Sequence, residues 1–214
     1  MFIISCKWIE NSKLFQLLET ICYFHPEEKI VVVDSDSEDK SYIERIDSNV
    51  IVEDISNKNY LEGALWYCFE KYQEENFFYL IHDSMILNDR IELKSPDISY
   101  FTNFDFAYNN QYGSQIMKNF VISEIETKTS YNYHEPPVAV FGSCIFVSRN
   151  FLERIKTKGF DKILPQNKME MEAMERLWAI IIHQEGYDLE EIVLCKPNEF
   201  SNEKYIKKFW LGRQ

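Results

Sequence analysis

Lys29-Ile-Val-Val-Val-Asp-Ser-Asp-Ser37 is the stretch on which the fold turns. Ile30 to Val33 is an unbroken β-branched run with no alternation, the mark of a strand covered on both faces. It ends abruptly in small acidic and polar residues. Such a strand needs neighbours, and the flanking sequence supplies them. Phe2 to Cys6 reads as another buried strand. Between the two, Leu14, Leu17, Leu18, Ile21 and Cys22 recur at helical spacing behind Asn11 and Ser12, which suit an N-cap, and Pro26 closes the helix. Downstream, Asn49 to Glu53 is a shorter strand. Leu61, Ala64, Leu65, Cys68, Phe69 and Tyr72 form one helical stripe, and Phe77 to Ile81 is a fourth buried strand. This alternation predicts an α/β fold, a mixed and mainly parallel sheet flanked by helices, with ligands outside the carboxyl ends of the strands. The residues to inspect are therefore those just after Cys6, Val33, Val52 and Ile81.

The second half is less regular. Phe104 to Tyr108 reads as a short strand, and Asn109 to Pro137 as a long polar and aromatic loop with at most a short helix. Val138 to Val147 reads as a strand interrupted at Gly142, where a bulge or a close ligand approach is expected. Ser148 caps a helix that ends at Gly159. Pro165 precedes a longer helix, with Met174, Leu177, Trp178, Ile181 and Ile182 on one face, that stops at Gly186. No repeat or linker divides the 214 residues, so one domain is expected over 1–214, ending in a basic tail.

Composition narrows the function. The formal charge is -12, from 35 acidic against 23 basic residues, which opposes general binding to nucleic acid or anionic membranes. Lys204, Lys207, Lys208 and Arg213 are the exception, and read either as a solvated tail or as a small anion-binding lid. The five cysteines are scattered, with no CxxC pair and no zinc pattern, so reduced thiols and a cytoplasmic location are expected. Met1 to Cys6 is too short for a signal segment, and no apolar stretch approaches the roughly 20 residues that span a bilayer. GxGxxG, GxxxxGK[ST] and GxSxG motifs are absent, which argues against dinucleotide oxidoreductases, P-loop ATPases and α/β-hydrolases.

Three constellations carry candidate chemistry. Asp34-Ser-Asp-Ser37 can accept hydrogen bonds from a base or ribose, although Asp and Ser favour turns for local reasons too. His82-Asp83-Ser84 sets a carboxylate at the sheet edge, suited to a hard divalent cation beside a diphosphate or to capping the next segment. Glu170, Glu172 and Glu175 cluster with Arg176. Glu172 and Glu175 share a helix face and Glu172 lies four residues from Arg176, so the group is a general base with its neighbours or a solvated face with one ion pair.

In this order the motifs resemble the GT-A fold glycosyltransferases, especially small family-2-like enzymes. The pieces are the strand into Ser5-Cys6, then Val31 to Ser37, the 59–72 helix, Tyr79-Leu-Ile-His-Asp-Ser84, Gly142-Ser143 and Met174-Glu-Arg-Leu-Trp178. The resemblance implies a Rossmann-like GT-A domain, with 1–100 as its nucleotide-binding half and 101–214 as its acceptor-side half, and transfer of a hexosyl-type sugar from a nucleoside diphosphate sugar to an acceptor hydroxyl. Ser5, Cys6, Asp34 or Asp36, Asp83 and Ser84 would line the nucleotide, Asp83 would hold Mn²⁺ or Mg²⁺, and Lys207, Lys208 and Arg213 would close over the diphosphate. Glu172 or Glu175 would be the base of an inverting displacement. The sequence departs from the family at Asp83-Ser84-Met85, where the second acid of the Asp-x-Asp motif is missing. Two alternatives follow: a catalytically inactive binding protein of the same fold, and a sugar nucleotidyltransferase, which would usually show a glycine-rich loop after its first strand.

Overall fold

The computed structural model describes residues 1–9, 12–106, 114–195 and 205–208. The chain divides into two compact units, Met1–Glu92 with Glu199–Gln214, and Leu93–Asn198. The α/β class expected from the alternation is the one observed.

In the first unit β1 (Phe2–Cys6), β2 (Ile30–Asp34), β3 (Ile51–Glu53) and β4 (Phe77–His82) form a parallel array in the order β3-β2-β1-β4. All residues of β1 and β2 are buried, as their unbroken apolar runs require. Helices α1 (Leu14–Phe24) and α2 (Tyr60–Lys71) supply the apolar cover through Leu14, Leu17, Leu18 and Ile21, and through Leu61, Ala64, Leu65, Cys68 and Phe69. Each of the leucine, isoleucine and phenylalanine side chains contributes about 1.5–3 kcal/mol when fully buried. The expected side-chain cap of α1 is not made. Lys13 takes the N-cap position, Ser12 Oγ instead accepts from the Leu14 N–H at 3.2 Å, and Asn11 lies outside the described residues. A short antiparallel pair that the sequence reading did not foresee follows β4. β5 (Met85–Leu87) pairs with β10 (Ile206–Lys208), which sets Lys207 opposite Ile86 and Lys208 opposite Met85.

His25, just after α1, is buried against Phe2, and its Nε2 accepts from the Ile91 N–H at 3.0 Å. Burial, then the nearby Arg90 cation, hold its pKa below the ordinary histidine value. A neutral imidazole in the folded state and a titrating one in the unfolded state mean that stability is complete above about pH 6.5 and is lost as pH falls below it. Melting from pH 7.5 to 5.5 should show the fall, limited to about 1.4 kcal/mol per pH unit per proton. His25→Gln keeps an acceptor that does not titrate and should flatten the fall. Equal losses in both proteins would remove His25 from the account.

The second unit is built on β6 (Ile98–Asp105), which meets the strand expected at Phe104 to Tyr108 only at Phe104 and Asp105; 107 and 108 lie outside the described residues. Its partners are β7 (Val138–Val140) and β8 (Ile145–Ser148), both antiparallel to it, and β9 (Val193–Cys195), parallel to it. Between the Tyr100–Ile145 and Asn103–Val140 pairs, three steps on β6 face five on the other strand. The surplus is a bulge at Gly142 (φ 66°) and Ser143 (φ 49°), where the interruption was expected. Helices α3 (Ser114–Lys128), α4 (Arg149–Thr157) and α5 (Lys168–Gln184) complete the unit. Ser148 caps α4 as expected, accepting from the Phe151 N–H at 3.1 Å. Gly159 follows α4 in the left-handed region (φ 89°), where a Cβ would collide with the Lys128 carbonyl oxygen. The 15-residue α3 corrects the reading of 109–137 as a loop. Met117, Val121 and Ile125 bury a stripe one residue wide, too narrow to register as a helical period in so polar a stretch.

Candidate functional site

Parallel pairing brings the strand ends of the first unit to one edge: Cys6 is aligned with Asp34, Ser5 with His82, and Val33 with Glu53. Asp34 is fully buried there and both its oxygens are engaged. Oδ1 accepts from the Ser37 N–H at 3.0 Å and Oδ2 from the Tyr42 hydroxyl at 2.7 Å. Burial foremost, then the neighbouring Cys6 and Asp34, pushes the Tyr42 phenol far above its ordinary pKa, so it remains a donor. Tyr42 also stacks on Trp8 (centroids 5.1 Å, 15° between planes), and the Trp8 N–H donates to Ser37 Oγ at 2.8 Å. The 34–37 turn is thus closed into a ring of contacts. Asp34 holds that turn together; Asp36, exposed and in the left-handed region (φ 61°), is the acid on its outer face, with Lys58 Nζ at 3.9 Å.

A second layer supports the turn. Ser5 Oγ and Ser35 Oγ are 2.6 Å apart, and Asn57 Nδ2 donates to Ser35 Oγ at 3.3 Å and to the Tyr60 carbonyl at 2.7 Å. The Asn57 N–H donates to the Asp34 carbonyl at 3.1 Å, and the Ser35 N–H to the carbonyl of buried Cys6 at 2.7 Å. Gly63 makes this possible, because a Cβ on that turn of α2 would overlap Asn57 Oδ1. Ser56 and Tyr60, on either side, are in the left-handed region, as is Asp36. Strained backbone of this kind concentrates at binding sites. Glu53, at the end of β3, is held instead by structural partners. Burial alone would raise its pKa, but hydrogen bonds from Lys71, Tyr72 and Tyr67 together hold it below the ordinary value.

Asp83 is fully buried and Ser84 nearly so, with Ser12 Oγ donating toward Asp83 Oδ2 at 3.4 Å. The β5–β10 pair sets Lys208 two residues along from Asp83, so part of the basic tail is fixed beside the His82-Asp83-Ser84 edge. Lys204 and Arg213 lie outside the described residues. Among the described residues no three His, Cys, Asp or Glu side chains gather as metal ligands. Asp83 offers a single carboxylate, which is short of the six or more oxygens a hard divalent cation takes. Among them also no helix is long and apolar enough to cross a membrane.

In the second unit the acidic cluster divides by role. Glu170 completes a cap: Asn167 Oδ1 accepts from the Glu170 N–H at 3.1 Å, and the Glu170 carboxylate accepts from the Gln166 N–H and Asn167 Nδ2, both at 2.7 Å. Glu175 Oε1 accepts from the Gly142 N–H at 2.6 Å and so addresses the bulge directly. Glu172 stands half-buried on the same helix. Arg176 turns toward β6 and α3, donating to the Phe106 carbonyl at 3.2 Å and Met117 Sδ at 3.0 Å, and resting over the Phe104 ring. Burial lowers its pKa, with Glu175 and then Glu172 opposing. Tyr42, Trp8, Asn57 and Gly63 were not singled out from the sequence. A glycine inside the α2 stripe, behind Asn57-Lys-Asn59, was the available signal.

No family model and no curated protein matches the sequence. Solved structures do. S. aureus TarS residues 1–349 align at a TM-score of 0.47 and 11% identity, over 82% of this chain and 54% of that one. A longer S. aureus TarS structure aligns at 0.46 and 11%, over 84% and 33%. The 1–349 form in complex with UDP aligns at 0.43 and 11%, over 79% and 52%. The chain spans about half the length of the TarS 1–349 structures it matches, at 54% and 52%.

Proposed function

We propose that this chain is a GT-A-like glycosyltransferase that moves a hexosyl-type sugar from a nucleoside diphosphate sugar to an acceptor hydroxyl with inversion. One observation carries the reading: the β5–β10 pair puts Lys208 beside the end of β4 at Asp83-Ser84, with only β1 between that strand and the one that ends in the 34–37 turn. A diphosphate needs cations, and this is the cationic segment of an otherwise acidic chain. In this reading Ser5, Cys6 and Asp36 border the nucleoside, and Asp34 holds the turn that meets it. Lys207, Lys208 and Arg213 meet the phosphates.

Glu175, or failing it Glu172, takes the proton of the acceptor hydroxyl as its oxygen bonds to the anomeric carbon. The bond from that carbon to the phosphate oxygen breaks with its electron pair, and the basic tail receives the charge that grows on the leaving diphosphate. No step passes through Mn²⁺ or Mg²⁺, since Asp83 alone does not make a metal site. A cation would enter with the diphosphate. The five cysteines, none in a disulfide, suit a cytoplasmic enzyme. A binding protein without turnover is the second reading, favoured by the full burial of Asp83.

Thermal unfolding against nucleoside diphosphates and nucleotide sugars, each with Mn²⁺ and with EDTA, tests the donor site. A ligand at about 100 times its dissociation constant adds roughly 2.7 kcal/mol. Stabilisation by one nucleotide sugar is expected, and its loss in EDTA would show that a cation comes with the diphosphate. Slow donor hydrolysis separates enzyme from binder. Silence across the whole panel would overturn the donor site.

A further inference from the structure

We infer that the 129–137 segment of the second unit is fastened to the end of α5 by a proton-sensitive latch of two neutral histidines. The direction of every hydrogen bond in it follows from one backbone group. The Asn132 N–H can only donate, and it does so to Gln184 Oε1 at 3.1 Å. That fixes the Gln184 amide, whose Nε2 donates to the Asn132 carbonyl and also faces His134 Nδ1 at 3.3 Å. His134 Nδ1 is therefore an acceptor, and its proton sits on Nε2. Nε2 lies 2.8 Å from His183 Nδ1, so it donates and His183 Nδ1 accepts. His183 in turn carries its proton on Nε2. Both rings are neutral, and all four nitrogens have assigned roles.

An added proton has nowhere to go without conflict. On His183 Nδ1 it faces the His134 Nε2–H, and on His134 Nδ1 it faces the Gln184 amide hydrogens. The same chemistry makes the pair a poor metal chelate, because a ligating imidazole needs an acceptor, not a donor, behind its other nitrogen. Nearby carboxylates are already engaged. Glu135 on the segment takes Lys118 of α3 and the Tyr133 hydroxyl. Glu185, at the end of α5, takes Tyr131, Arg154 and Lys158, the last two from α4 and the residue that caps it. Arg176 of α5 adds a further cation near Tyr133. Acid therefore opens the latch by setting donor against donor, and loosens the segment that leads into β7 and the Gly142 bulge held by Glu175.

Nitrogen NMR of the imidazoles tests the tautomers, and amide exchange tests the latch; neither needs a substrate. At pH 7.5 both histidines should carry their proton on Nε2. On acidification the protection of the Asn132 amide, corrected for intrinsic exchange, should fall roughly five- to tenfold, the worth of one net hydrogen bond. In His134→Phe/His183→Phe it should be lower and independent of pH. A proton on His134 Nδ1 at pH 7.5, protection unchanged by acid, or a fall that persists in the double variant would each overturn the latch. The first two are read on the unmodified protein, so the test stands whether or not the variant folds.

Discussion

Asp34→Ala is expected to destabilise the protein by about 2–6 kcal/mol and to abolish nucleotide binding with it. The carboxylate is fully buried, and its loss strands two buried donors, the Ser37 N–H and the Tyr42 hydroxyl, each costing about 1–3 kcal/mol. For a chain of this size each kcal/mol moves Tm by about 2–4 °C, so the loss is easily read by calorimetry. Tyr42→Phe should give a smaller version, about 1–3 kcal/mol, because it removes one donor and leaves Asp34 Oδ2 unmatched. Asp36→Gly should behave in the opposite way. It deletes an exposed carboxylate and places the residue most tolerant of a φ of 61° where an aspartate now bears the strain. Stability should hold or rise by some tenths of a kcal/mol while affinity for the nucleoside falls. A Tm for Asp34→Ala within about 1 °C of the unmodified protein would mean that the buried carboxylate is not the anchor of the turn.

How far this was legible in the sequence differs from element to element. Ile30 to Asp34 was readable because a doubly buried strand has no polar face to confuse it, and α2 because its stripe is broad. β5 and β10 were not, since three-residue strands carry no period and are defined only by each other, across more than a hundred residues of chain. The first six residues of β6 were missed because Ser99, Thr102 and Asn103 are buried polar residues that dilute its apolar pattern. The carboxyl edge was legible as a place, because parallel topology puts strand ends together whatever their side chains do. What each acid does there was not. Asp34 aimed at a ligand and Asp34 aimed at Tyr42 look the same in sequence, and the answer depends on a phenol eight residues on. Glu170 was the opposite case: Asn167 followed three residues later by a glutamate is a capping pattern, and the sequence held the evidence that this acid is structural.

That separation sharpens the last prediction, on the candidate base. Glu175→Gln should lower sugar transfer by roughly 10²- to 10⁴-fold, the usual worth of a positioned proton acceptor, with donor affinity and Tm unchanged. Stability should survive because the glutamine carbonyl oxygen still accepts from the Gly142 N–H, now held at 2.6 Å by the carboxylate. What disappears is basicity alone. Glu175→Ala, by contrast, removes the acceptor as well and takes away a hydrogen bond that ties two successive positive-φ residues, Gly142 and Ser143, to α5, so both activity and stability should fall. Glu172→Gln should leave transfer within about threefold, since α5 gives Glu175 and not Glu172 the contact with the bulge. If the losses are reversed, Glu172 is the base and the Gly142 contact is structural. If both glutamine variants keep full activity, no carboxylate of this helix takes the acceptor proton, and the inverting mechanism loses its base.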